Sequence, residues 1–210
     1  MNHVQRRLPE VEISLHAVNE AIGALIHTIL LARWPRQVRP RDVQCFHLDG
    51  LSYATCGDEM VDLRVQEACD QLLSSLEPAA PELHKGFLTV RLFKRRVNKV
   101  VFWSVEEKVT WEEWVIPMLV NSAPQPASDH RVPSHERRRL QGESDRRYAE
   151  GLTGRLMEVV SLLNESVEHV PPPGGSEDDA ALDFEVSCAQ RVDSAVFRSR
   201  SLAVPPVQAK

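Results

Sequence analysis

The 210-residue chain has no run of about 18 or more consecutive apolar residues, so its sequence predicts no membrane-spanning helix. The opening residues, MNHVQRRLPEVEIS, turn polar where a signal peptide would need its apolar segment. Positive charge is not in excess. Lys and Arg total 25 against 30 Asp and Glu, and the net charge of −5 argues against a chain whose main task is coating nucleic acid. Four cysteines at positions 45, 56, 69 and 188 are too scattered for a disulfide framework or a zinc site and fit reduced thiols in the cytoplasm. G-x-S-x-G, a Gly-rich phosphate loop and H-E-x-x-H are all missing, so the sequence gives no positive reason to expect an enzyme. Aromatics are sparse too, at 6%. Yet three of the four tryptophans crowd into one stretch, VVFWSVEEKVTWEEW, from Val100 to Trp114.

What is present reads as one globular domain with a real core: 42% hydrophobic and 26% charged residues. EVEISL, 10–15, alternates as a half-buried strand with Val11, Ile13 and Leu15 inward. VNEAIGALIHTILLARWP then changes period, with Val18, Ile22, Leu25 and Ile29 in a helical stripe that Pro35 stops near Arg33. Residues 42–56 read as a bent strand or a hairpin turning at Asp49-Gly50. A second helix carries Val61, Val65, Ala68, Leu72 and Leu76 on one face, and PAAPELHKG breaks it. FLTVRLF (87–93) and VTWEEWVIPMLV (109–120) pair as a hairpin. Pro117 cannot donate a ladder hydrogen bond, which predicts an edge or a bulge in the second strand.

Residues 121–142 have the composition of a mobile loop. A long helix is expected from about Ser144 to Glu168, with Ala149, Leu152, Leu156, Val159, Val160, Leu163 and Val167 as its buried stripe. LDFEVSCA, 182–189, is a one-sided strand, and the last twenty residues lack a strong pattern. The order predicts an α+β fold: one mostly antiparallel sheet with three helices packed on one face. It forms a single domain over 1–190, including the 121–142 loop, followed by a loosely ordered tail at 191–210.

Four segments in this order resemble the autophagy-related protein 101 family, the HORMA-fold subunit of the autophagy initiation kinase complex. They are VNEAIGALIHTILLAR (18–33), RPRDVQCFHLDGLSYATCGDEMVDLRVQEACDQL (39–72), the tryptophan-rich stretch ending in WEEW, and the long helix leading through HVPP (169–172) to DFEVS (183–187). The resemblance covers about residues 10–190. It implies a HORMA-like fold and a non-catalytic adaptor in the cytoplasm and at the phagophore assembly site. By the same resemblance the chain pairs with the HORMA domain of autophagy-related protein 13, joins the initiation kinase complex and recruits downstream factors. Neither nucleic acid nor stable membrane insertion is implied, nor a cofactor or metal.

In that family the hairpin carries an exposed aromatic finger, a Trp followed at once or one residue later by Phe. Counting back from the paired tryptophans puts the finger at Phe102 and Trp103, here in reversed order. Their polar flanks, Lys94 to Lys99 before and Glu106 to Lys108 after, agree with a polar excursion between two apolar strands. The bland alternative is that 100–103 tuck under the sheet. Trp111 and Trp114, by contrast, read as core or sheet-face packing. HORMA domains commonly pair through the long helix, so residues near 145–165 are the expected contact. A second reading keeps the fold but uses a C-terminal safety belt to trap a peptide; a third is an unrecognised hydrolase.

Other candidates read as structural. His27 lies among apolar helix positions, Cys45 and His47 are too few ligands for zinc, and His130 and His135 fall in the loop. Glu106-Glu107 and Glu112-Glu113 read as surface charge. The basic clusters Arg91/Lys94/Arg95/Arg96/Lys99 and 135–147 read as solvated faces, with anionic headgroups or a phosphorylated partner as the alternative.

Overall fold

The computed structural model describes residues 3–34, 38–100, 103–124, 133–165, 167–171 and 182–189, without the side chains of 97–100 and 103–105. Along these the chain runs β1 (Val4–Arg7), β2 (Val11–Ser14), α1 (Val18–Arg33), β3 (Arg41–Gln44), β4 (Ser52–Thr55) and α2 (Glu59–Ser75). It continues through β5 (Glu77–Ala80), β6 (Leu83–Val100), β7 (Trp103–Asn121), α3 (Ser134–Glu165) and β8 (Leu182–Ala189).

The antiparallel pair β6–β7 is the spine of a six-stranded sheet. On the outer edge of β6 lie β5 and β8, both antiparallel to it. On the outer edge of β7 lie β1 and β2, both parallel to it. β3 and β4 form a separate antiparallel hairpin turning at Asp49-Gly50. The fold is therefore α+β and HORMA-like, a mostly antiparallel sheet with three helices packed on one face.

Alternation builds the sheet's inner face: Leu88, Val90 and Leu92 of β6 and Trp114, Ile116, Met118 and Val120 of β7 are all buried. Onto them packs α1, whose Val18, Ile22, Leu25, Ile26, Ile29 and Leu30 are sealed. α1 ends at Arg33 because the residue before Pro35 is driven out of helical space, and Trp34 sits at φ −77°, ψ 121°. α2 begins at the Asp58 cap, whose carboxylate accepts from the N–H of Met60 and of Val61. Val61, Val65, Ala68 and Leu72 form its buried stripe.

Several expectations need correction. The segment Leu15–Arg33 does have the length and apolarity of a membrane span, but most of it is buried inside the fold as the core helix. Leu15 points outward because the chain turns there into a short 3₁₀ helix, ending the alternation of β2. PAAPELHKG contributes β5, paired back onto β6, where a plain break was expected. VQRR, read as a polar beginning, is the parallel strand β1.

Pro117 lies in a central strand, not at an edge. It falls between the segments that pair with β1, which end at Val115, and with β2, which start at Met118. β7 does contain the expected bulge, but at Trp111 and not at Pro117: Trp111 is skipped where Leu92 faces Glu112 and Phe93 faces Thr110.

α3 starts at Ser134, ten residues before the expected Ser144, so residues 134–142 are helical where loop was expected. Ion pairs and hydrogen bonds at i,i+4, Arg139–Glu143 and Gln141–Asp145, support those polar turns without an apolar face. The described helix runs to Glu165; Val160 is partly exposed and Val167 exposed, so the buried stripe is Ala149, Leu152, Val159 and Leu163, with Tyr148 beside it. In β8, Leu182 and Phe184 are buried and Val186 and Cys188 half-buried.

Gly57 fixes the turn between β4 and α2. Its φ is +66°, and a Cβ there would lie 2.0 Å from the Arg39 carbonyl oxygen. Gly57→Ala should cost at least about 2 kcal/mol, combining the left-handed penalty with the clash. In a thermal melt this lowers Tm by about 4–8 °C for a domain of this size; an unchanged Tm would contradict the turn geometry.

Candidate functional site

β6 and β7 outrun their neighbours. Their pairing runs from Leu83 opposite Asn121 to Val100 opposite Trp103. β8 accompanies β6 only as far as Lys94, and β1 accompanies β7 only from Glu112 to Val115. Beyond those points Arg95–Val100 and Trp103–Lys108 pair with each other alone among the described strands. Six residues per strand make a two-stranded ribbon roughly 20 Å long. Of the expected finger, Phe102 lies outside the described residues. Trp103 is described as backbone only, as the first residue of β7 at the far end of the ribbon.

At the root of the ribbon stands Glu112, fully buried. Arg6 of β1 donates from Nε to its Oε1 at 3.1 Å, and Arg33 at the end of α1 donates from Nε to its Oε2 at 2.7 Å. His169 Nε2, from the segment after α3, lies 3.2 Å from Oε2. Arg33 also donates from Nη2 to the Leu163 carbonyl of α3 at 2.9 Å. One carboxylate thus ties together the central strand, the parallel edge, the core helix and the segment following the long helix. The flanking tryptophans enclose it: Arg6 lies over the Trp114 ring at 5.5 Å, and the Trp111 and His169 ring centroids are 5.9 Å apart. A buried carboxylate without such partners costs several kcal/mol in lost solvation, so the guanidinium groups are what make the position tenable.

Glu113 points to the other side of β7, as alternation requires. It accepts from Arg91 Nε at 2.7 Å and from Gln5 Nε2 at 2.9 Å. The surface-charge expectation for Glu112-Glu113 is therefore overturned: both are buried in the sheet, whereas Glu106 and Glu107 on the ribbon are exposed. The signal available in the sequence was position, two acids inside an otherwise apolar strand between two tryptophans.

A model of the family described as Autophagy-related protein 101 matches residues 10–176, from just before β2 to beyond α3. The chain belongs to the autophagy-related protein 101 family. Autophagy-related protein 101 of Arabidopsis thaliana is 24% identical over 204 residues, covering 93% of this chain and 91% of that one. The family match takes in the ribbon, Glu112, Arg33 and His169.

The remaining candidates in this autophagy-related protein 101 family member fall into place individually. Trp111 and Trp114 are core residues, as expected. His27 is packed: its Nδ1 accepts from the Cys56 N–H at 3.3 Å, its Nε2 faces Asp62 Oδ1 at 3.4 Å, and its ring stacks on Tyr53. Burial holds its imidazole below the ordinary 6.5, against the weaker pull of Asp62.

Burial likewise pushes the thiols up, to about 11 for Cys45 and Cys56 and about 12 for Cys69 and Cys188, which keeps them protonated and poorly nucleophilic. Cys45 and His47 lie beyond the end of β3, in the turn and not on a strand face. His135 is exposed in the first turn of α3, and His130 lies outside the described residues.

In the basic clusters Arg91, Arg95, Arg139, Arg146 and Arg147 all have acidic partners. Phe46 was not singled out by the sequence: it is 86% exposed at the β3–β4 turn, where the Glu20 carboxylate accepts its backbone N–H at 2.7 Å.

Two measurements check this site. Glu112→Ala leaves Arg6 and Arg33 buried without their anion and should cost about 3–5 kcal/mol. Glu106→Ala, at an exposed pair, should cost under about 1 kcal/mol. Equal denaturation midpoints for the two variants would contradict the buried cluster. For His27 the unfolded ring gains a proton as pH falls below 6.5 while the folded ring resists it. Stability should therefore decline from pH 6.5 downward, and His27→Gln should flatten that decline; an identical pH profile in the variant would refute the assignment.

Proposed function

We propose that this chain is a non-catalytic adaptor of autophagy initiation. It heterodimerises with the HORMA domain of autophagy-related protein 13 and stabilises that domain within the initiation kinase complex. Through Phe102 and Trp103 it recruits downstream factors, in the cytoplasm and at the phagophore assembly site. It holds no cofactor or metal in this role, and binds neither nucleic acid nor the membrane interior.

The observation that carries this reading is the unaccompanied ribbon. A two-stranded hairpin is at best marginally stable in water, and here its far end carries the position of Trp103 away from the sheet that buries Trp111 and Trp114. Leaving large rings in water forgoes roughly 1.5–3 kcal/mol apiece of burial. Adjacent exposed aromatics are useful chiefly as anchors in an interface. Membership of the autophagy-related protein 101 family supplies the pathway.

For the heterodimer, residues 145–165 of α3 are the proposed contact. Their outer side presents Met157, 64% exposed, and Val160, and nothing lies within 4 Å of a Cβ built at Gly151 or Gly154. Such an open, partly apolar strip suits close approach by another element.

Co-expression with the autophagy-related protein 13 HORMA domain followed by size-exclusion chromatography should yield a 1:1 complex; separate elution would remove the pairing. In that complex Phe102→Ala with Trp103→Ala should leave the melting temperature and the heterodimer intact and abolish recruitment of downstream factors. A large fall in melting temperature would mean instead that the two rings are structural.

A further inference from the structure

The geometry points to Asp183 and Glu185 of β8 as positioning residues that clamp both strands of the ribbon where it leaves the sheet and so fix the direction of the finger. The inference rests on the proposed role of the ribbon and adds the device that aims it.

The last residue of β6 accompanied by β8 is Lys94, opposite Leu182. The next rung of the ribbon is Arg95 opposite Lys108. Both members of that rung are tied to β8. Arg95 donates from Nη2 to Asp183 Oδ2, and Lys108 donates from Nζ to Glu185 Oε2 at 2.8 Å. Arg95 also donates from Nη1 to Glu106 Oε1 at 3.2 Å, closing the link across the ribbon.

Asp183 is itself held from the other direction. Arg64 of α2 donates from Nη1 to Asp183 Oδ1 at 2.7 Å, and the Phe184 N–H donates to the same oxygen at 2.9 Å. Its side chain is only 12% exposed, although its two arginine partners reach into solvent. Burial alone would raise this carboxyl, but the bonds from Arg64, Arg95 and the Phe184 N–H hold it below the usual carboxylate value. It is therefore ionised at neutral pH.

Packing does not substitute for these bonds. Between α2, β8 and the start of the ribbon lies an open cavity of about 320 Å³, lined by Arg64, Phe93, Arg95, Lys108, Asp183 and Glu185. The apolar contribution at this level comes from the buried Phe93 and Phe184 rings, with Ala68 and Val186 beside them; Arg95 and Lys108 lie over Phe93 at 5.9 and 4.8 Å and Arg64 over Phe184 at 4.9 Å. Charge bridges the gap on that flank, so cutting the charge frees the ribbon without opening the core.

The test is amide hydrogen exchange on the full chain, comparing residues 95–108 with residues 111–120. Asp183→Ala should speed exchange in the ribbon by about fivefold, the size expected when a partly exposed ion-pair network is cut. It should leave 111–120 unchanged, and Asp183→Glu should restore part of the protection. Lys108→Ala and Glu185→Ala read the second arm independently should Asp183→Ala fail to fold, with the same ribbon-limited effect expected. Unchanged ribbon exchange in these variants, or a rise shared equally by 111–120, would overturn the clamp. No partner is needed, so failure here is separate from failure of recruitment by the Phe102/Trp103 variant.

Discussion

A single carboxylate, Glu112, sits without solvent exposure in the central strand and draws Arg6, Arg33 and His169 onto itself. Ions buried this deeply add little net stability compared with well-packed apolar side chains of the same volume. What they supply is specificity of arrangement. Only one register of β1 against β7 places Arg6 beside Glu112, and the end of α1 must come close for Arg33 to reach it. Arg33 carries the constraint on to α3 by binding the Leu163 carbonyl. The core would tolerate small shifts of its aliphatic contacts; the charge cluster would not.

This constraint bears on function because the cluster lies directly below the ribbon. The strand that holds Glu112 by its side chain is the strand that continues outward to Trp103. The Trp111 bulge lies between the two, where a bulge adds twist and re-aims a strand. Scaffold and projecting element are thus consecutive parts of one chain segment. The stretch VVFWSVEEKVTWEEW divides its roles accordingly, with Trp111 and Trp114 sealed around the ionic root and the proposed anchors at the other end.

Much of this was legible in the sequence where one physical signal dominated. α1 and α2 follow from their apolar periodicity and their boundaries from Pro35 and Asp58; β8 follows from strict alternation. The misreadings share another cause. VQRR, PAAP and the first ten residues of α3 have no apolar pattern, and they take their structure from partners distant in sequence or from local ion pairs. Glu112 and Glu113 looked like surface charge because Arg6, Arg33 and Arg91, which neutralise them, lie 22 to 106 residues away. Tertiary electrostatics leaves little trace in a local window. Phe46 escaped notice for a similar reason, since its exposure depends on Glu20 holding the turn.

The central proposal is that Trp103, at the far end of an ion-tied scaffold that seals Trp111 and Trp114, serves as an anchor for a partner. Acrylamide quenching of tryptophan fluorescence tests it most directly, with the native chain compared to Trp103→Phe. The account predicts that the native protein has a red-shifted, readily quenched component that disappears in the variant, leaving the emission of the buried Trp111 and Trp114 and the half-buried Trp34. Identical quenching in the two proteins would place the Trp103 ring inside the fold and contradict the account.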